Sequence, residues 1–333
     1  MIQVVIPTRR RPEYLRVALE SIRAQTAVAR VGTVIVSENG SDRRSESVCR
    51  EFPDLPIQYL FQEPEVAALE HVRLLSTIEL HPWMAMLHDD DWWAPDHVEV
   101  ALRNLEAQPG RGAFYSSYLE ITAGDPPVVG DSVWRVWVAG GEDFRPPILQ
   151  LGFPQSLVAN LLSTSFVYSS LVTKTALFAR AYDEVARQQN SFDNDRMLPM
   201  LLADPGGLVY STIPTVVIRR HPAQDQNSVA FMNRGHAVIM AETTRWLMNR
   251  WPGQCQEAAS LFNAAVDRID EKRWREISAA IDEPLRTTLV DAAGFRLWRP
   301  RPSLAERLKR LMPATVRARI GERRRALARA LRS

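Results

Sequence analysis

The chain has 333 residues, is 46% hydrophobic and carries a formal charge of +2, enough for one large domain or a domain with an appendage. Its two cysteines, Cys49 and Cys255, lie far apart and outside any CxxC pair. This excludes a disulfide framework or zinc knuckle and points to a reduced, cytosolic compartment. No run approaches the roughly 18 apolar residues of a membrane span, and Met1–Ile6 meets Pro7 too soon to read as a signal peptide.

In chain order, QVVIPT reads as a strand and RRPEYLRVALESIRAQ as a helix with Leu15, Ala18, Leu19 and Ile22 at helical spacing. VGTVIVSENG is a second strand ending in a polar turn, followed by a polar helix around 41–52. IQYLF is a third strand, VAALEHVRLLSTIEL a third helix and WMAMLH a fourth strand. PDHVEVALRNLEAQ follows as a helix with Pro95 in its first turn. Strand and helix thus alternate four times, which predicts an α/β domain with a mainly parallel central sheet wrapped by helices. After GAFYSSYLEIT, residues 123–160 are rich in Gly, Pro and Trp and read as a long functional loop. STSFVYSSLV and LVYSTIPTVVIRR read as further strands, with a helix around Asp195–Leu202 between them, and from about Ser228 the pattern is helical.

Three polar clusters fall at strand ends: Pro7-Thr8-Arg9, Ser37-Glu38-Asn39 and Asp89-Asp90-Asp91. In a parallel sheet all three open onto one rim, where open α/β sheets bind ligands. Adjacent carboxylates at the end of the apolar run WMAML repel one another and need a positive partner. Hard cations such as Mg²⁺ or Mn²⁺ prefer such oxygens and keep sites open for water and phosphate. A solvated acidic turn at the next helix N-terminus is the alternative.

VVIPTRRRPEYLRVALESI, VIVSENGSD and MLHDDDWW, in this order and spacing, resemble the family 2 inverting glycosyltransferases of the GT-A (Rossmann-like) fold over roughly residues 2–225. The resemblance implies a nucleotide-sugar-binding domain over 1–225, with a helical extension at 226–300 and a basic tail at 301–333. It also implies that Pro7, Thr8 and Arg9 line the nucleotide pocket, that Glu38 contacts the uracil or thymine ring beside Asn39, and that Asp89 and Asp90 approach ribose and diphosphate. Asp91 would ligate Mn²⁺ or Mg²⁺. Glu38 departs from the Asp usual in the family.

An inverting transfer needs a carboxylate to accept the acceptor hydroxyl's proton. In SFDNDRMLPMLLAD the resemblance puts Asp195 at that place. Asn194 replaces the family's Glu and leaves Asp193 as a rival, or as a mere cap of the helix. In VVIRRHPAQ, His221 is implied to approach the metal, and Arg219 and Arg220 suit a diphosphate; all three are otherwise ordinary structural or surface residues. Trp134 and Trp137 are aromatic candidates for the acceptor. The resemblance implies a metal-dependent enzyme that moves a sugar from a UDP- or dTDP-linked donor to a glycan or lipid-linked acceptor in cell-surface polysaccharide assembly. A nucleotidyltransferase is the rival, though PTRRRPEY lacks the glycines of its usual loop. A catalytically silent, membrane-associated relative is the other, kept open by Asn194.

The tail is read from the residues alone. From Arg296 onward thirteen Lys or Arg stand against two Glu, a net of +11, leaving the remainder at 28 basic against 37 acidic residues, a net of −9. SLAERLKRLM sets Leu304, Leu308, Leu311 and Met312 on one helical face, and ATVRARIGERRRALARALRS continues a narrow apolar stripe among arginines. Such a pattern suits the surface of an anionic membrane, implying a cytoplasmic enzyme peripheral on the cytoplasmic face. Nucleic acid is the less favoured partner, and a solvated helix on the acidic body is the plainest reading. Each basic residue near an anionic surface contributes about 1 kcal/mol. Deleting residues 303–333 is therefore expected to abolish co-sedimentation with anionic liposomes while leaving turnover of a small soluble acceptor intact. Equal co-sedimentation of both forms would contradict the membrane role.

Overall fold

The computed structural model describes residues 1–40, 42–122, 128–130, 147–162, 166–188, 194–204, 206–221 and 236–266. The chain divides into Met1–Leu297 and Trp298–Ser333, and every described residue lies in the first unit. Its strands are β1 (Ile2–Thr8), β2 (Val31–Asn39), β3 (Ile57–Gln62), β4 (Trp83–Met86), β5 (Trp92–Trp93), β6 (Ala113–Thr122), β7 (Val128–Gly130), β8 (Ile148–Leu151), β9 (Val172–Lys174) and β10 (Leu208–Arg220). The sheet order is β3-β2-β1-β4-β9-β6-β10-β5, with β7 on β6 and β8 on β10. β3, β2, β1 and β4 pair in parallel, as do β6 and β10. The short strands β5, β7, β8 and β9 run antiparallel to their neighbours. The expected mainly parallel sheet is thus present, with short reversed strands that carry too few residues to show a period in sequence.

Helices α1 (Pro12–Arg23), α2 (Arg44–Arg50), α3 (Ala68–Ser76) and α4 (His97–Ala107) follow the first four parallel-sheet strands as read from the hydrophobic pattern. In α1, Pro12 opens the helix, and Leu15, Ala18, Leu19 and Ile22 are all buried. They pack with Ile2, Val4 and Ile6 of β1 in a common core. β1 itself is buried at nearly every position, as expected of a strand covered on both faces. Later helices are α5 (Phe153–Leu162), α6 (Thr175–Arg187), α7 (Asn194–Ala203), α8 (His236–Arg250) and α9 (Pro252–Val266). The last two fall in the stretch expected to be helical. No helix among the described residues is long and apolar enough to cross a membrane.

Three local expectations change. Residues 123–160, read as a long loop, contain β7, β8 and most of α5, because short elements packed by distant partners leave little local signal. STSFVYSSLV is not one strand: Tyr168–Ser170 form a 3-10 turn, and only Val172–Lys174 continue as β9. Pro95 precedes α4 rather than sitting in its first turn, since Asp96 is the N-cap.

One buried group ties the sheet to its reversed edge. The fully buried His97 ring stacks on Trp93 at 4.5 Å between centroids, and its Nδ1 lies 2.8 Å from Thr215 Oγ1. Thr215 Oγ1 lies in turn 2.7 Å from Ser116 Oγ. Burial pushes His97 down to about 3 from 6.5. Between those values the unfolded chain binds a proton that the folded chain does not. His97 therefore costs nothing above about pH 6.5 and destabilises progressively as pH falls toward 3. Urea midpoints are expected to drop between pH 7.5 and 5. The drop should be smaller in His97→Asn, which keeps a hydrogen-bonding group near Nδ1 but cannot titrate; equal drops would contradict the assignment.

Candidate functional site

The order β3-β2-β1-β4 reverses direction of progression between β1 and β4, the position at which open α/β sheets form a crevice beyond the strand ends. The expected clusters meet there. Asp89, Asp90 and Asp91, just beyond β4, are buried to 4%, 7% and 4% exposure, which removes the solvated-turn alternative. Thr8, the last residue of β1, donates from Oγ1 to Asp89 Oδ2 at 2.7 Å, and the Arg9 N–H reaches the same oxygen at 3.4 Å.

The turn from β1 into α1 aims a cation at the carboxylates. Arg10 has a φ of 56°, the sole positive value for a non-glycine among the described residues, a conformation costing roughly 1 kcal/mol or more. Arg11 is the N-cap of α1 but makes no side-chain cap. Its guanidinium instead reaches back to Asp89 Oδ1 at 3.3 Å and Asp90 Oδ2 at 2.9 Å. Arg9 and Arg10 both pair with Glu65.

His221, at the end of β10, lies with Nε2 2.9 Å from Asp90 Oδ2. Asp91 accepts from Ser169 Oγ at 2.5 Å on Oδ2 and from the Arg219 N–H at 3.1 Å on Oδ1. The Arg219 guanidinium stacks over Tyr14 at 4.4 Å and Trp92 at 5.1 Å, and Arg220 pairs with Glu120 at 2.8 Å.

The electrostatics follow from this crowding. Burial, reinforced by the charge on Asp90, pushes Asp89 up to about 6 against the pull of Arg11, Thr8 and the Arg9 amide. Burial and Asp90 likewise push Asp91 up to about 7, despite its bonds from Ser169 and Arg219. Burial would raise Asp90 too, but His88, the His221 hydrogen bond and Arg11 together hold it below the usual carboxylate range. Two of three carboxylates thus resist ionisation without a further positive charge.

Ligand atoms of His88, Asp90 and Asp91 lie within 4.8 Å of one another. Two carboxylates and an imidazole fit Mn²⁺ well and Mg²⁺ less well, because imidazole is the softer donor. His221, expected near the metal, lies beside this set, with Nε2 2.9 Å from Asp90 Oδ2.

Glu38 sits at the end of β2, 1% exposed; its Oε2 accepts from Tyr59 Oη at 2.7 Å and from the Ser45 N–H at 3.0 Å. Its buried Oε1 has no partner among the described residues. Asn39 holds the loop between β3 and α3 through two hydrogen bonds to the Val66 backbone. Pro7 is half-buried in β1 opposite Ser37. Asp195 lies in the first turn of α7, though its side chain, like Asp193, Trp134 and Trp137, lies outside the described residues.

Sequence reasoning missed Arg11, His88 and Ser169. Arg11 stood among three consecutive arginines, and His88 directly precedes the acidic triplet, so both were within reach of a closer reading. Ser169 carried no local signal.

A mainly parallel α/β sheet with a buried acidic cluster at its switch point is an architecture that gathers ligands beyond its strand ends. Residues 3–144 match the family described as Glycosyl transferase family 2. Over 119 residues the chain is 29% identical to the glycosyltransferase GlyA of Streptococcus pneumoniae serotype 4, covering 34% of this chain and 17% of that relative's length. The fold is similar to S. aureus TarS 1-349 in complex with UDP-GlcNAc, with a TM-score of 0.57, 11% identity, and coverage of 87% of this chain and 79% of that one. TarS 1-349 without the ligand gives the same TM-score at 10% identity. The GT-A fold follows.

If the cluster holds a divalent cation, Mn²⁺ should raise the melting temperature, since a ligand at 100 times its Kd stabilises by about 2.7 kcal/mol. Asp91→Ala should abolish that shift. A full Mn²⁺-dependent shift in the variant would remove Asp91 from the metal site.

Proposed function

We propose that the chain is a metal-dependent inverting glycosyltransferase. It would move a sugar from a UDP- or dTDP-linked donor to a hydroxyl of a glycan or lipid-linked acceptor, in polysaccharide assembly at the cytoplasmic face of a membrane. The observation that carries this reading is the buried Asp89-Asp90-Asp91 cluster with His88 at the switch point of a family 2 fold. The UDP-GlcNAc complex of TarS supports a nucleotide-sugar donor, and the basic tail supports the membrane location.

Each residue then has a task. Glu38, fixed through Oε2 by Tyr59 and Ser45, offers its unpartnered Oε1 to a pyrimidine N–H, with Pro7 and Thr8 beside it. Thr8 and the Arg9 amide orient Asp89 toward the ribose side. Arg11, already drawn into the cleft, supplies positive charge near the diphosphate. Arg219 is stacked between two aromatic rings, and Arg220 is engaged by Glu120, so both serve the wall of the cleft more than the phosphates. Asp91 and Asp90, with His88, would hold Mn²⁺ or Mg²⁺, which when bound offsets negative charge on the departing diphosphate. Asp195 accepts the proton of the acceptor hydroxyl as its oxygen attacks the anomeric carbon opposite the leaving group, and Trp134 and Trp137 contact the acceptor. Configuration inverts because the carboxylate and the diphosphate lie on opposite faces of the sugar.

Hydrolysis of a nucleotide-sugar panel with and without Mn²⁺ tests the class of reaction, and metal-stimulated release of UDP or dTDP is expected. Asp195→Asn keeps shape but removes the proton acceptor. Donor affinity should survive while transfer falls by roughly 10²–10⁴-fold. If Asp193→Asn causes that loss and Asp195→Asn does not, the base is Asp193.

A further inference from the structure

We propose that Ser169 is a positioning residue for the metal cluster, acting through Asp91 and His88 rather than touching metal or substrate. This rests on the metal-dependent reading above.

Ser169 is 1% exposed and lies in the 3-10 turn Tyr168–Ser170, which no local pattern connects with the acidic triplet. Its hydroxyl has one proton and two lone pairs. The proton goes to Asp91 Oδ2 at 2.5 Å, and a lone pair receives the His88 backbone N–H at 3.1 Å. One atom therefore bridges the first and last residues of the candidate ligand set. The neighbouring Tyr168 ring stacks on the His88 imidazole, with centroids 5.7 Å apart and planes 20° apart. Adjacent residues of a single turn thus hold both outer ligands.

The turn is itself anchored. The Ser169 carbonyl accepts from Trp93 Nε1 at 2.6 Å, and Trp93 is stacked on His97, which Thr215 and Ser116 fix in turn. Because Arg219 N–H holds the other oxygen of Asp91, the carboxylate plane is set on folding. Its rotamer freedom is not left to be lost when a cation arrives. Partners that orient ligands in this way typically change metal affinity by 10- to 100-fold when removed.

The test measures Mn²⁺ affinity from the electron paramagnetic resonance signal of free Mn²⁺, without turnover, on the full chain. Ser169→Ala should weaken Mn²⁺ binding by 10- to 100-fold. Ser170→Ala removes an equally buried hydroxyl of the same turn, one that donates to the Val167 carbonyl at 3.0 Å, and should leave affinity unchanged. If Ser169→Ala does not fold, as judged by near-ultraviolet circular dichroism, the nearly isosteric but poorly donating Ser169→Cys takes its place with the same expectation. Wild-type affinity in the Ser169 variant overturns the proposal while leaving the metal site standing, as does an equal loss in both variants. A wild-type chain that binds no Mn²⁺ overturns the metal-dependent reading and this proposal with it.

Discussion

Three adjacent carboxylates buried at the end of a strand repel one another, and each has lost most of its water. The fold around β1 and β4 is organised to tolerate this. Thr8, the Arg9 and Arg219 amides and Ser169 donate hydrogen bonds, while Arg11 and His221 bring positive or polarisable groups to Asp89 and Asp90. The compensation is incomplete, since Asp89 and Asp91 stay well above their ordinary range. Residual negative charge in a preorganised cleft is what a divalent cation needs from a protein, and the cation in turn offsets the charge of a diphosphate. A cluster built for stability alone would be better replaced by apolar residues.

Other features follow from that constraint. The left-handed Arg10 turns the chain so that Arg11, at the helix N-cap, faces back into the cleft instead of capping α1. Two-residue β5 pairs antiparallel with β10. That pairing brings Trp92 under the Arg219 guanidinium and Trp93 against the 3-10 turn. The buried, neutral His97 belongs to the same scaffold: a charged imidazole between Trp93 and Phe114 would loosen the anchor of the turn that orients Asp91.

Much of this was legible in the residues. Helical spacing in α1 and the alternation of four strands and helices announced a parallel sheet, and polar clusters after β1, β2 and β4 announced one rim. The resemblance of those clusters to family 2 glycosyltransferases ordered them into a site. What could not be read was set by tertiary contact. Strands β5, β7, β8 and β9 are too short to show a period of two. Ser169 is 78 residues from Asp91, and its role exists only because β9 returns the chain beside β4. Glu38 read as a base contact, but only the folded chain shows Oε2 held by Tyr59 and Ser45 and Oε1 left without a partner among the described residues.

The arrangement of the buried triplet makes it a candidate metal–diphosphate site. Crystals grown with Mn²⁺ and UDP, measured at a wavelength where manganese scatters anomalously, test it most directly. One anomalous peak is expected within ligand distance of Asp91 and at least one of Asp90 and His88, with the diphosphate on its open side and the uracil beside Glu38. Nucleotide bound elsewhere, or bound in the cleft without an anomalous peak at the triplet, would contradict that assignment.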